Sequence, residues 1–411
     1  VTSPKGAVRR LAGARLVSLL GTGAANVALL ISVFESTRSA AWVSASLVAT
    51  HGVQVFFALF TAGLGDRLDR RRLMVACEVA GSGCYLAMVF TPAPGRLLAV
   101  ALLSAVVASP FHSASAAAIP NLVGREHLSW ANSMVSAGRN LGMTLGPVLG
   151  GLVAATLGAG TVFAANAVSF LVSALVISTV RGRFSGERAT SDDHRGVHAG
   201  LAFLWRNPLL RTLLVAEAVL VLGLGLVQVA RVPMVESFGR GSAALGLLDG
   251  AWGAGLLIGS ISGRRLNADR EPRTFVIGLA GVAAATAAIG ISPWFAPIVG
   301  FNLLIGLADS LDLIAGQGIR QRRTPDAVLG RVIAANSSMC VLAQMVGYGT
   351  SGLLAPIVGP QGIYLICGAV VAGSAVICLR AIGLARLAPE LPAAAPSPVA
   401  DVAISHQPLA E

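Results

Sequence analysis

Charge is scarce in this chain. Asp, Glu, Lys and Arg together make up 12% of its 411 residues, about half the share usual in a soluble globular protein. Lys5 is the only lysine and lies outside any glycine-rich loop, which excludes ATP hydrolysis by a P-loop. Aromatic residues are few, at 5%. The basic residues fall in short clusters between apolar runs, so the net charge of +11 does not describe a nucleic-acid surface. Cys77, Cys84, Cys340, Cys367 and Cys378 all lie inside hydrophobic segments without CxxC spacing. They read as small buried side chains, not as a metal or redox site. A GxSxG elbow and an HExxH pair are missing too. The chain is therefore expected to be no enzyme and to hold no cofactor or metal.

What the sequence has in abundance is apolar length. Hydrophobic residues make up 55% of it, and segments 17–34, 40–65, 97–123 and 140–180 contain no Asp, Glu, Lys or Arg. A helix needs about 20 mainly apolar residues to cross a bilayer. Hydropathy predicts twelve spans, at 11–34, 41–65, 73–91, 97–119, 129–156, 161–180, 212–236, 243–263, 274–291, 295–319, 331–356 and 363–387. The first runs too long for a cleavable signal core. The expected fold is an all-α polytopic membrane protein. Residues 1–180 form one six-helix half and 212–387 the other. A cytoplasmic central loop, 181–211, joins them, with a short interfacial helix over 201–210. The Ala- and Pro-rich tail, 388–411, reads as disordered.

Orientation follows from the basic residues. Arg38, Arg96 and Arg240 fall on one side and Arg15, Arg139 and Arg231 within spans. The remainder of the 30 basic residues share the side of both termini. The positive-inside rule makes that side cytoplasmic. Arginine used almost to the exclusion of lysine points to a GC-rich bacterial gene, hence the bacterial cytoplasmic membrane.

The halves repeat. Pro120 to Arg125 precedes Ala131-Asn132-Ser133-Met134, and about 205 residues later Pro325 to Arg331 precedes Ala335-Asn336-Ser337-Ser338-Met339. Six spans separate the copies, so the halves run parallel, an arrangement used by transporters with the substrate path between repeats.

Two motifs stand out. The 2–3 loop reads Ala62-Gly63-Leu64-Gly65-Asp66-Arg67-Leu68-Asp69-Arg70-Arg71-Arg72, a tight turn with two carboxylates among four guanidiniums. Span five contains Gly142, Gly146, Pro147, Gly150 and Gly151. Small residues at these spacings let helix backbones approach closely, and the Gly-Pro pair permits a kink. On these motifs, and on Leu204 to Arg211 at the entry to the second half, the sequence resembles the major facilitator superfamily over nearly its whole length. It is most similar to the enterobactin-exporter and macrolide-efflux branch of drug:proton antiporters. The resemblance implies that Gly63, Asp66, Arg67, Arg70 and Arg71 form the conformational signature and that the span-five residues form the exporter signature. Departures are Ala62 and Asp69 for glycines, Ser133 for the exporter signature's early glycine, and Thr22 where the branch often has an acid in span one. Span four lacks the arginine of many proton-coupled exporters.

Charged and polar groups inside the membrane are costly and default to functional candidates. Asp309 and Asp312 lie one turn apart on span ten, and such close carboxylates suit proton pickup. His112 on span four titrates in the right range, and Asp249 on span eight is within reach of Arg231 on span seven. These four are the candidate coupling groups. Asp309 and Asp312 have an alternative in pairing with arginines of the 10–11 loop. Asn26, Gln54, Arg139, Asn140, Gln228, Arg231 and Gln344 are the candidate cavity residues, and Arg139 is either a gating pair or a substrate contact. Glu217, near the cytoplasmic end of span seven, reads as an exposed or loop-paired charge.

These features predict a monomeric, alternating-access secondary exporter that uses the proton gradient to move small amphipathic or hydrophobic compounds, such as an antibiotic, siderophore or secondary metabolite. An importer or lipid transporter on the same fold, or a non-transporting membrane scaffold or receptor, is the alternative. Partners are the small-molecule substrate, the proton gradient and the lipid bilayer, with no nucleic acid.

Overall fold

In a bilayer every backbone N–H and C=O must be satisfied within its own segment, which leaves the helix as the natural form for such apolar runs. The computed structural model describes residues 4–61, 68–123, 128–180, 184, 196–263 and 268–387. Some helical positions, among them Gln54 and His112, are described by backbone alone. The described chain is helical throughout. The membrane helices are α1 (Pro4–Thr37), α2 (Ala40–Thr61), α3 (Arg70–Val89), α4 (Pro94–Leu122), α5 (Leu128–Leu157), α6 (Ala159–Thr179), α7 (Pro208–Ser237), α8 (Ser242–Gly263), α9 (Glu271–Ile291) and α10 (Phe295–Arg323). A last helical stretch, Asp326–Leu387, is broken at Gly359 (φ 70°, ψ 170°) into α11 (326–358) and α12 (360–387).

Ten described segments are long and apolar enough to cross a membrane. The tenth, Val328–Ala381, covers most of both α11 and α12, and the apolar part of α2, Ala40–Val53, is a shorter apolar stretch.

Local chemistry sets the helix ends. Asp69 caps α3 by accepting from the Arg72 backbone N–H at 2.8 Å. Asn207 caps α7 with bonds from the Leu209 and Leu210 N–H groups at 3.1 and 3.2 Å, and Pro208 takes the first helical position. This cap changes the expected central loop. Its short helix runs Gly196–Arg206 and stops there, while residues 208–210 open α7. Leu204 is fully buried, and a β-carbon at Gly200 would meet the Arg331 carbonyl. The linker helix thus rests on the start of α11.

The repeat appears as matching contacts. α1 packs on α5 and α6, α3 on α6, and α2 on α4; in the second half α7 packs on the α11–α12 stretch, α9 on α10 and the same stretch, and α8 on α10. A β-carbon at Gly146 on α5 would lie 2.6 Å from the Leu20 carbonyl oxygen, and one at Gly347 on α11 would lie 2.3 Å from that of Leu222. Gly23 faces the first glycine and Gly225 the second, each with its Cα 3.1 Å from the added carbon. The perimeter is apolar: Leu86, Leu175, Ile277 and Ile377 are all more than half exposed, as a lipid-facing surface requires.

Between the halves α5 meets α8 and α2 meets α11. At the end opposite the termini the contact is close. Gly151 abuts Ser242 and Gly246, the Ser44 hydroxyl donates to the Tyr348 carbonyl at 2.6 Å, and Arg38, at φ 51° in the α1–α2 turn, pairs with Glu236 at the end of α7. Toward the terminal side Arg139 and Asn140 on α5 and Ser337 and Ser338 on α11 are exposed. The close contacts between the halves that the described residues show lie at the end opposite the termini.

Candidate functional site

Polar clusters lie within the spans of both halves. In the second half Arg320 of α10 donates from Nη1 to Glu217 Oε2 of α7 at 2.5 Å and from Nη2 to Oε1 at 3.4 Å. Asn336 of α11 adds a bond to Oε2 at 3.0 Å. Both charged partners are buried, at 6% and 4% exposure. This corrects two readings of the sequence. Glu217 is neither exposed nor loop-paired, and Arg320 belongs to no loop, because α10 continues to Arg323 and carries the guanidinium back into the bundle.

Asp309 and Asp312 share this site. Asp309 neighbours Glu217 and Trp252, and Asp312 neighbours Asp309, Glu217 and Arg320. Asp312 is 2% exposed and its Oδ1 has no hydrogen-bond partner, nor has Oδ1 of Asn336. On one wall Gly278 of α9 leaves room for little more than hydrogen against the Asp312 β-carbon. Arg320 is committed to Glu217, and Arg322 pairs with Glu271 of α9. Among the described residues the site therefore brings Glu217 and Asp312 to one guanidinium, with half-buried Asp309 next to both carboxylates.

Nearer the other end of α7, Arg231 pairs with Asp249 of α8. These two candidates neutralise each other in this conformation, so Arg231 is no free anion-binding group here. Tyr364 of α12 lies beside them with its hydroxyl unpartnered.

The first half holds a cavity of about 140 Å³ among α1, α2, α3, α4 and α6. Glu78 on α3, 2% exposed, lines it and accepts from Ser18 at 3.4 Å. Arg15 on α1 lines the same end, donates to Ser115 on α4 at 3.0 Å and lies 5.7 Å over the Phe111 ring. Thr22, where the resembling branch often has an acid, is on the wall, so the acidic group of this cavity comes from α3 instead. Asn26 borders it and is exposed, and the His51 ring lies edge-on to the Tyr348 ring of the opposite half, centroids 5.6 Å apart.

Sequence reasoning missed Glu78, although it is the only charged residue within the apolar part of α3. It also passed over the positional equivalence of Arg15 and Glu217, which are separated by the same repeat as Gly23 and Gly225. Of the other candidates, Gln228 and Gln344 are half-buried, while Arg139 and Asn140 are exposed on α5. Arg70 donates to the Phe184 carbonyl at 3.4 Å, and Arg71 is half-buried. Gly63, Asp66 and Arg67 lie outside the described residues, as do the side chains of Gln54 and His112. The span-five signature works as packing. Gly142, Gly146 and Gly150 admit α1, Pro147 sits on Gly23, and Gly151 admits α8.

The family model of the Major Facilitator Superfamily matches residues 11–229 and 213–410. The chain belongs to that superfamily. Among curated relatives of this transporter, the enterobactin exporter EntS of Escherichia coli O1:K1 is 25% identical over 354 residues, covering 84% of this chain and 85% of that one. EntS of Shigella boydii serotype 18 matches equally. Solved structures share the fold. The nucleoside transporter NupG superposes with a TM-score of 0.74 at 13% identity, over 92% of this chain and 99% of that one. A bacterial homologue of the iron transporter ferroportin, in an inward-facing state, gives 0.68 at 17% identity, over 91% and 98%. The protein is thus a multi-pass membrane transporter of small molecules.

Proposed function

We propose that this transporter exports small amphipathic or hydrophobic compounds, such as an antibiotic, a siderophore or a secondary metabolite, from the bacterial cytoplasm by proton antiport. The observation that carries the reading is the cluster of buried Glu217 and Asp312, with half-buried Asp309 beside them, in which Arg320 is the one cation among the described residues. Fully ionised, it holds two negative charges in excess, and each uncompensated charge in such an interior costs several kcal/mol. Protons bound to the carboxylates remove that cost, and the unpartnered Asp312 Oδ1 is where a carboxylic acid would sit.

Read by the positive-inside rule, the arginine distribution makes the terminal end cytoplasmic, and with the close contacts at the opposite end substrate would enter from the cytoplasm. Parting of the α5–α8 and α2–α11 contacts and closure of the opposite end would present the cleft outward. α10 and α7, which hold the cluster, would shift with that rocking, so proton release and substrate exit become linked. Export, as opposed to import, is supported by the glycine–proline signature of α5 and by likeness to a relative named as an enterobactin exporter.

Whole-cell accumulation of a panel of hydrophobic antibiotics tests the direction. Deleting the gene should raise the internal level of an exported compound. A fall would mean import, and equal levels for every compound would favour a scaffold or receptor.

A further inference from the structure

We infer that the cavity of the first half is a subsite for one end of the substrate, a single uncharged aromatic ring bearing a hydroxyl or amide. This deepens the proposed export reading by naming a substrate class, and its physiological sense rests on that reading, but ring binding is measurable without transport.

Size comes first. The cavity measures about 140 Å³, and an apolar protein cavity of about 150 Å³ accommodates one benzene molecule. A whole siderophore or macrolide does not fit, whereas one ring does, with the rest of the molecule leaving past the exposed Asn26. The walls suit a ring: Tyr85, Met88, Phe111 and Phe170 line it with Leu19 and Leu29.

Charge comes second. The carboxylate of Glu78 and the guanidinium of Arg15 both line one end, yet among the described residues no ion pair joins them. Each is held by a hydroxyl instead, Glu78 by Ser18 and Arg15 by Ser115. Arg15 Nε is buried and has no partner. A buried donor and a buried acceptor of opposite sign, kept apart, favour a group that donates to one and accepts from the other. A phenol or carboxamide does this without bringing charge. A carboxylate would face Glu78 and an ammonium would face Arg15, so each meets a like charge. His51 and Thr50 of α2, Ser104 of α4 and Thr22 of α1 complete the polar lining and add no fixed charge.

Cys77, beside Glu78, lines the cavity, whereas Cys84 on the same helix does not. The test is the rate at which methyl methanethiosulfonate modifies Cys77 in the purified transporter, read by peptide mass spectrometry with Cys84 as internal reference. The probes are phenol, benzamide, toluene, benzoate and benzylammonium. Phenol and benzamide should slow Cys77 about threefold at twice their Kd, with Cys84 unchanged and the other three probes weaker. Glu78→Gln should make benzoate the better protector and Arg15→Gln should do so for benzylammonium, because each leaves one sign unopposed. If one variant fails to fold, the other still decides the sign. An identical ligand order in all folded forms, toluene matching phenol, or no protection by any ring overturns the inference. None of these results depends on whether the protein exports anything.

Discussion

Arg320 Nη1 lies 2.5 Å from Glu217 Oε2 between α10 and α7, and the first half has its counterpart in Arg15 and Ser115, 3.0 Å apart between α1 and α4. The repeat places one arginine-centred contact at the same level of each half. In the second half the arginine sits on the fourth helix of the repeat and its partner is a carboxylate. In the first half it sits on the first helix and its partner is a hydroxyl. The two halves share a frame and have diverged in charge.

That pair yields the first prediction. Among the described residues, Arg320→Met leaves buried Glu217 and Asp312, and half-buried Asp309, without a cation and should destabilise the protein by about 3–5 kcal/mol. Adding Glu217→Gln should recover most of the loss, since it removes one of the stranded charges. Thermal unfolding of the detergent-solubilised protein measures both. Equal stability of the single variant and wild type would mean that the pair is not buried as described.

Two glycines of the α5 signature should behave differently. Gly146 touches the Leu20 carbonyl within its own half, so Gly146→Val overpacks the bundle and should cost about 1–3 kcal/mol. Gly151 touches Ser242 and Gly246 of the other half, so Gly151→Val should push the halves apart at the end away from the termini. With Ser44→Cys as reporter, a membrane-impermeant thiol reagent added outside should label the Gly151 variant faster and the Gly146 variant no faster than the reporter alone. Equal labelling of all three would contradict the assignment of Gly151 to the interface.

Arg38 and Glu236 join the halves at the same end. Arg38→Glu should speed labelling at Ser44→Cys, and adding Glu236→Arg should slow it again. The pair is partly exposed, at 66% and 38% of its side chains, so solvent screening keeps its coupling below about 1 kcal/mol. The double variant therefore recovers only a modest shift. Absence of any recovery would show that the two residues act independently.

Much of the fold was legible because a bilayer leaves the chain few options. Charge-free segments announce helices, and the Pro120 and Pro325 copies announce the repeat. The site was less legible, and the reason is geometric. Arg320 reads as loop by hydropathy because it precedes Arg322 and Arg323, and only the continuation of α10 brings it back to Glu217. Glu78 reads as one charge in a span of modest hydropathy, and nothing local reveals that Arg15, 63 positions earlier, faces the same cavity. Hydropathy places the linker helix a few residues late, because Leu209 and Leu210 continue the apolar run beyond the Asn207 cap.

The antiport proposal meets its most direct test in sealed proteoliposomes, by recording proton movement when hydrophobic antibiotics are added to the wild type and to Asp309→Asn, Asp312→Asn and His112→Ala. The account predicts a drug-dependent proton flux that is lost with Asp309→Asn or Asp312→Asn, and His112→Ala decides whether the span-four candidate takes part. Substrate movement without proton flux in the wild type, or flux that survives both aspartate changes, would contradict it.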